Sequence, residues 1–359
     1  MSGFRDPRVT FVSSAAAAWG AETSIRLIAQ ELVKRGYRVR VVVSSETAAK
    51  FFRQEPGINT VQISHSHSSR LSRWRAFSRY LLTTNEPTER VVVCSVNLYM
   101  LGPLSILWRR RDVLTAIDLH DSFSSPMMRA RIRIMALLFD RAIYISNFIG
   151  GMVSKNRHAY LIPRPITAEI QQEALPVNPL KVGLVGRIVP EKNIELAIDA
   201  VAPMANTELH VFGSSFGSDH YAEELSRYAA ARKAPVYWRG RQDADSLYKE
   251  ISVLLVVNER EASGRTVGEA LARGIPVVVP SRGGAGEFFD ARHEGYVWEA
   301  DSGAKSIRLI LEGIQADPSA ARSASSLGRL RVREERSLTR VVDQYASALG
   351  LPVAGTELM

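Results

Sequence analysis

Short β-branched runs alternate with helical patterns along the whole chain. In the first half these runs are "VTFVSS", "RVRVVVSS", "RVVVCSV", "LTAIDL", "AIYIS" and "YLIP". Between them apolar positions recur at helical spacing. Over residues 22–35, Ile25, Ile28, Ala29, Leu32 and Val33 share one face, and Gly36 ends the helix. Strands that alternate with helices predict a parallel sheet covered by helices. After the linker "QQEALPVNP" (171–179) the pattern starts again with "KVGLVG", "LHVFG", "PVYWRG", "VLLVV", "IPVVVP" and "GYVWE". Two α/β halves in series are therefore expected, residues 1–170 and 171–359. An Arg-rich helix over about 320–349 closes the chain, and the sequence leaves open whether it crosses back to the first half.

A length of 359 residues suits two domains, each with an ample core. No window approaches the run of about 18 apolar residues that a membrane-spanning helix needs. The start "MSGFRDPRVTFVSSAAAAWGAE" only mimics a signal peptide, because its apolar part is short and interrupted by Ser13 and Ser14. The single cysteine, Cys94, lies inside "VVVCSV" and reads as a small buried hydrophobe. It excludes an intrachain disulfide, and a cytoplasmic location fits.

The net charge of +9 is unevenly spread. Residues 1–170 hold 24 Lys and Arg against 12 Asp and Glu, whereas the remainder holds 22 against 25. A basic front half points to an anionic partner, be it nucleic acid, an anionic membrane or an acidic substrate.

Ligands of doubly wound sheets bind beyond the carboxyl ends of the strands, and the polar motifs of this chain lie there. In "VGLVGRIVPEKN" (182–193) a buried strand runs into Gly186, and Arg187 and Lys192 follow before the next helix. A glycine turn with two cations suits a diphosphate, although a solvated loop would carry the same residues. In "EREASGRTVGEALARGIPVVVPSRGGAGEFF" (259–289) two carboxylates, Glu261 and Glu269, stand astride a Gly-Arg-Thr bend. They would either cap a helix starting near Arg265 or Thr266, or accept hydrogen bonds from ligand hydroxyls such as a vicinal diol. The amides of Gly264, Arg265 and Thr266 at that helix start suit an anion. Ribose diol, diphosphate and sugar hydroxyls match these parts in order.

The stretch from Glu261 resembles the Glu-x7-Glu signature of family 4 glycosyltransferases, retaining enzymes of the GT-B fold with two Rossmann-like domains facing a cleft. "VGRIVPEKN" is similar to their phosphate-binding segment, and "WGAETSIRLIAQELVKRGYRVRVVV" to their amino-terminal Gly-Gly-Ala-Glu helix and strand. "DLHD", "YISNFI" and "LIPRPI" resemble further family segments, so the likeness spans most of the chain. It implies that Glu269 holds the ribose, that Arg187 and Lys192 neutralise the diphosphate, and that Glu261 and His120 contact the donor sugar. Gly20 would let the first loop approach sugar phosphate and acceptor, and Gly240 and Arg241 would lie at the nucleobase. Three departures stand out. Trp19 replaces the first glycine of the amino-terminal pair, Ser263 a common aromatic residue, and Arg164-Pro165 an Asn-Gly turn, where only turn geometry is expected to change.

The remaining candidates carry blander readings. Without the resemblance His120 would pass for a structural histidine. "DAD" (243–245) looks like a metal motif, but it precedes "SLYKEI", so Asp243 or Asp245 is expected to cap a helix. His65 and His67 have no ligating companions and read as loop residues. In "RLSRWRAFSRYLL" (70–82) Leu71, Trp74, Phe77 and Leu81 form a helical stripe among Arg70, Arg73, Arg75 and Arg79, and "WRRRD" (108–112) adds charge to the same half. This is either a membrane-surface helix or a core-packed one.

The expected function is thus metal-independent transfer of a hexose-type sugar from a UDP- or GDP-sugar to an acceptor hydroxyl, with no cofactor beyond the nucleotide-sugar donor. A lipid-linked glycan of cell-surface polysaccharide or glycolipid synthesis, met at the inner membrane face, is the favoured acceptor, with a small soluble natural product as alternative. A GT-B sugar-nucleotide epimerase would need further acid-base residues. A nucleic-acid-binding protein would leave Glu261 and Glu269 without a task.

Overall fold

The computed structural model describes residues 5–16, 20–63, 70–84, 86–108, 112–123, 125–152, 158–167, 178–215 and 219–352. Trp19, His65, His67, residues 109–111 and most of the 171–179 linker lie outside them. The chain forms two compact units, residues 1–165 together with 336–359, and residues 166–335.

The first unit holds strands β1 (Arg5–Ser13), β2 (Tyr37–Val43), β3 (Ile58–Gln62), β4 (Arg90–Val93), β5 (Leu114–Leu119), β6 (Arg141–Tyr144) and β7 (Ala159–Leu161). They make one sheet in the order β3-β2-β1-β4-β5-β6-β7, and every pair is parallel. Its helices are α1 (Gly20–Lys34), α2 (Glu46–Arg53), α3 (Arg70–Thr84), α4 (Gly102–Trp108), α5 (Pro126–Ala136) and α6 (Asn147–Met152). Central strands carry β-branched apolar runs, as a sheet covered on both faces requires; Val41, Val42, Val91, Val92 and Val93 have no exposed surface. Edge strand β3 escapes the sequence pattern because only Ile58 of "INTVQ" is buried.

The second unit holds β8 (Leu180–Val185), β9 (Thr207–Phe212), β10 (Val236–Gly240), β11 (Val253–Leu255), β12 (Val277–Pro280) and β13 (Tyr296–Trp298). These too are all parallel, in the order β10-β9-β8-β11-β12-β13. Its helices are α7 (Ile194–Val201), α8 (Asp219–Ala231), α9 (Ala244–Glu250), α10 (Arg265–Ala272), α11 (Gly303–Ala316) and α12 (Pro318–Glu335). Two buried clusters lie on this sheet, one joining β8 and β9 to α7 and α11, the other joining β12 to α9 and α10.

Where one Arg-rich terminal helix was expected, two form. Beyond α12, Ser337 caps a new helix, α13 (Leu338–Ala348), with its hydroxyl accepting from the Arg340 amide. Val341, Val342, Tyr345 and Ala346 of α13 pack into the core of the first unit beside Ile25, Ile28 and Leu32 of α1. In α3 the expected stripe divides: Phe77 and Leu81 are fully buried, whereas Leu71 is 49% exposed. No helix among the described residues is long and apolar enough to cross a membrane.

Candidate active site

Both sheets switch direction at their centre, between β1 and β4 and between β8 and β11. Such switch points open a crevice beyond the carboxyl ends of the strands. In the second unit, glycines follow β8 and β9 and end β10: Gly186, Gly213 and Gly240, with φ of 154°, 152° and 66°. The Gly186 amide donates to the Phe212 carbonyl at 2.9 Å, and the Gly213 amide to the Gly240 carbonyl at 2.8 Å. A Cβ on Gly213 would sit 1.8 Å from the Gly186 carbonyl oxygen. The sheet rim is therefore bare backbone at this point, open to close approach by a ligand.

Arg187 leaves this rim with an exposed side chain. A single 3-10 turn, Pro190–Lys192, then turns the chain, and Asn193 takes the left-handed conformation with φ of 50° ahead of α7. The Lys192 side chain folds back over Gly186, and its ammonium lies 2.6 Å from Oε2 of Glu261. Asn258 donates to the same oxygen at 3.2 Å. Glu261 follows β11, so this contact bridges the two strands that flank the switch point. Gly283 and Gly284 clamp the loop beneath. The Gly284 amide donates to the Glu261 carbonyl at 2.8 Å, and a Cβ on Gly283 would meet the Glu259 carbonyl oxygen at 2.8 Å.

Helix α10 starts at Arg265, and its N-cap Gly264, with φ of 73°, brings no side-chain cap. Glu269 does not cap it either. One of its oxygens accepts from Arg265 Nε at 2.8 Å and the other from the Tyr248 hydroxyl at 3.2 Å. Tyr248 also lies 3.1 Å from the Thr266 carbonyl. Burial and the Glu269 carboxylate push the Tyr248 pKa well up, so it stays a neutral donor. Each carboxylate of the pair is thus held by side chains of its own unit, with lone pairs to spare for ligand hydroxyls. Ser263 is buried, Asp243 caps α9 by accepting from the Ser246 amide, and Gly240 and Arg241 are exposed at the end of edge strand β10.

In the first unit the switch point is lined by hydroxyls. Ser14 Oγ lies 2.6 Å from Ser95 Oγ, and Ser13 donates to buried Glu22 at 3.2 Å. Gly20 opens α1, its carbonyl accepting from the Ser24 hydroxyl. His120 follows β5, and its Nδ1 lies 3.3 Å from Nη2 of Arg164. Burial alone would raise the pKa of neighbouring Asp118, but the Arg164 guanidinium outweighs it and holds that carboxyl below its ordinary range. Cys94 is buried, and burial pushes its thiol up. Gly186, Lys192 and Glu261 are in contact within the second unit, as are Arg265 and Glu269, while Gly20 and His120 belong to the first. The sequence does not mark Gly213, Tyr248, Asn258, Arg164 and Tyr345 as site residues; Gly213 follows a strand like many glycines, Asn258 acts through Glu261 three residues on, and the others act through partners distant in the chain.

Two family profiles cover most of the chain. The profile described as a glycosyl transferase 4-like domain matches residues 20–146, and that of glycosyl transferases group 1 matches residues 165–326. The chain belongs to the family 4-type glycosyltransferases. One matched region lies in each half of this glycosyltransferase, and together they contain all twelve residues marked by the sequence. No curated protein matches it in sequence.

Among solved structures, HepE from Anabaena in complex with UDP and glucose superposes on the glycosyltransferase with a TM-score of 0.82 at 17% identity, covering 96% of this chain and 99% of its own. Sucrose-phosphate synthase from Thermosynechococcus elongatus gives 0.79 at 19% identity over 95% and 98% of the two chains. The lipopolysaccharide outer core galactosyltransferase WaaB gives 0.74 at 16% identity over 96% and 99%. These likenesses agree with the GT-B fold.

Proposed function

We propose that this glycosyltransferase moves a hexose-type sugar from a UDP-sugar to an acceptor hydroxyl with retention of configuration and without a metal ion. One observation carries the reading: beside the switch point of the second unit Lys192 folds over the bare backbone of Gly186 and pairs with Glu261, exposed Arg187 follows that glycine, and Arg265 and Tyr248 orient Glu269. Arg187 and Lys192 meet the diphosphate, with the amino end of α10 at Gly264, Arg265 and Thr266 as a further anion site. Glu269 holds the ribose, Glu261 the sugar hydroxyls, and Gly240 and Arg241 the base; His120 and Gly20 serve from the first unit. UDP is preferred over GDP because HepE is described with UDP and glucose.

The anomeric C–O bond to the diphosphate breaks and a new C–O bond to the acceptor forms on the same face of the sugar. The leaving phosphate oxygen takes the acceptor's proton, so no side chain need act as base. Charge grows on the diphosphate as the bond stretches, and fixed cations stabilise that growth most where no solvent must reorganise.

The acceptor we favour is a lipid-linked glycan of cell-surface polysaccharide or glycolipid synthesis, met at the inner membrane face. Support comes from the first unit, where Leu71, Met100, Ile106 and Leu107 are 41% to 55% exposed. Trp74 ties α3 to the neighbouring turn by donating to the Met100 carbonyl at 2.9 Å, and exposed Arg75 and Arg79 lie on the same helix. The test is incubation of the protein with UDP-hexoses and lipid-linked acceptors, read by the anomeric proton couplings of the product with and without a chelator. An inverted product, or one that forms only with added metal, would contradict the mechanism.

A further inference from the structure

Arg164 occupies the turn where its family resemblance led us to expect only a change of backbone geometry. Instead it is 4% exposed and uses all four of its terminal N–H bonds. Nη1 donates to Asp118 Oδ2 at 2.9 Å and to the Tyr345 hydroxyl at 2.6 Å. Nη2 donates to Asp118 Oδ1 at 2.8 Å and to His120 Nδ1 at 3.3 Å. The Tyr345 hydroxyl in turn donates to Asp118 Oδ2. Burial alone would disfavour the guanidinium, but Asp118 first and Tyr345 next keep it charged.

An arginine has no acceptor atom, so the lone pair at this contact must belong to His120 Nδ1. The ring proton is then on Nε2. Among the described residues the carboxylate within ion-pair range of Nε2 is that of Asp121, whose Oδ2 at 3.9 Å is beyond hydrogen-bond reach. Nε2–H is therefore left to meet another acceptor, while Asp118 and Tyr345 keep the guanidinium from turning.

We propose that Arg164 is a positioning residue that fixes His120 as the Nε2–H tautomer, so that His120 meets a substrate oxygen as a hydrogen-bond donor. Tyr345, delivered by α13, locks the assembly from the far end of the chain. A lysine at 164 could not replace it, because one ammonium does not match the fork that serves Asp118 and His120 together. The substrate half of this inference rests on the role given to His120 above; the tautomer half does not.

Long-range 15N–1H correlation spectra of the full-length protein, labelled at histidine nitrogens, test it directly. The His120 signals are those missing from His120→Gln. The wild type should show an unprotonated Nδ1 and a protonated Nε2 at His120, and Arg164→Met should show both tautomers. Should Arg164→Met not fold, Asp118→Asn/Arg164→Met removes both buried charges and serves in its place. Arg164→Met should also lower kcat at least tenfold with KM within about threefold, and His120→Ala/Arg164→Met should be no slower than His120→Ala. An Nδ1–H signal in the wild type, or an unchanged tautomer in the variant, overturns the positioning role. The expected spectra with full activity in His120→Ala would leave the positioning role standing and overturn the contact with substrate.

Discussion

Lys192 reaches from the loop after β8 to place its ammonium 2.6 Å from Oε2 of Glu261, which follows β11 on the other side of the switch point. A flexible four-carbon stem is thereby fixed, and an ammonium engaged by one carboxylate oxygen still has two N–H bonds to offer in the proposed diphosphate site. Lys192 and Asn258 hold one oxygen of Glu261, and in the proposed donor site the other meets a sugar hydroxyl.

If the pair works in this way, Lys192→Ala and Arg187→Ala should each lower turnover by about two to three orders of magnitude, the size of a lost preorganised charge. Steady-state kinetics with a UDP-sugar would show it. A loss under about threefold would remove these residues from the diphosphate site.

The glycine rim makes a prediction in which one substitution changes sign with its place. Gly213→Ala should destabilise by about 2 kcal/mol or more and weaken nucleotide binding, because its Cβ would overlap the Gly186 carbonyl. Gly313→Ala, at an exposed position of α11 with nothing within 4 Å of the new methyl, should stabilise by about 0.5–1 kcal/mol. Denaturant unfolding of both variants decides it; equal effects would deny the close approach at Gly213.

Buried charge at the other end of the first sheet is expected to serve stability rather than binding. Glu89 has no exposed surface and accepts from Arg40 at 2.7 Å, from Arg8 at 3.0 Å and from Thr10. Glu89→Ala would remove the buried carboxylate shared by Arg40 and Arg8 and should cost about 3–5 kcal/mol in unfolding experiments, without a comparable effect on KM in the protein that remains folded.

Asp118 predicts a pH dependence. Its pKa is lowered in the folded state, so the stability it supplies is present above the ordinary aspartate value of about 3.9 and is lost as pH falls towards the depressed one. The thermal midpoint of the wild type should drop over that acid range. In Asp118→Asn this part of the drop should vanish, from a lower starting stability.

The basic apolar surface of α3 and α4 should bring the protein down with vesicles containing anionic lipid at low salt. The combination Leu71→Glu, Arg75→Glu and Arg79→Glu should abolish this, each lost arginine removing roughly 1 kcal/mol of attraction. Failure of the wild type to co-sediment would favour a soluble acceptor.

The sequence displays whatever is local. Glu261, Gly264 and Glu269 are legible because strand, bend and helix follow one another within a few residues, and the apolar runs mark the inner strands for the same reason. Polar Asn59, Thr60 and Gln62 conceal β3, since an edge strand needs little apolar surface. Gly213 gives no local sign of its importance, because the carbonyl it must avoid is 27 residues away. Arg164 and Tyr345 meet across 181 residues. Only folding places that tyrosine beside Asp118, after Ser337 has broken the terminal helix into two.

The most direct measurement is calorimetric titration of the protein and of its Arg187→Ala and Glu269→Ala variants with UDP. Saturable binding to the wild type is expected, weakened at least tenfold, about 1.4 kcal/mol, in each variant. No binding at millimolar UDP, or equal binding by all three proteins, would contradict the assignment of the donor site to the second unit.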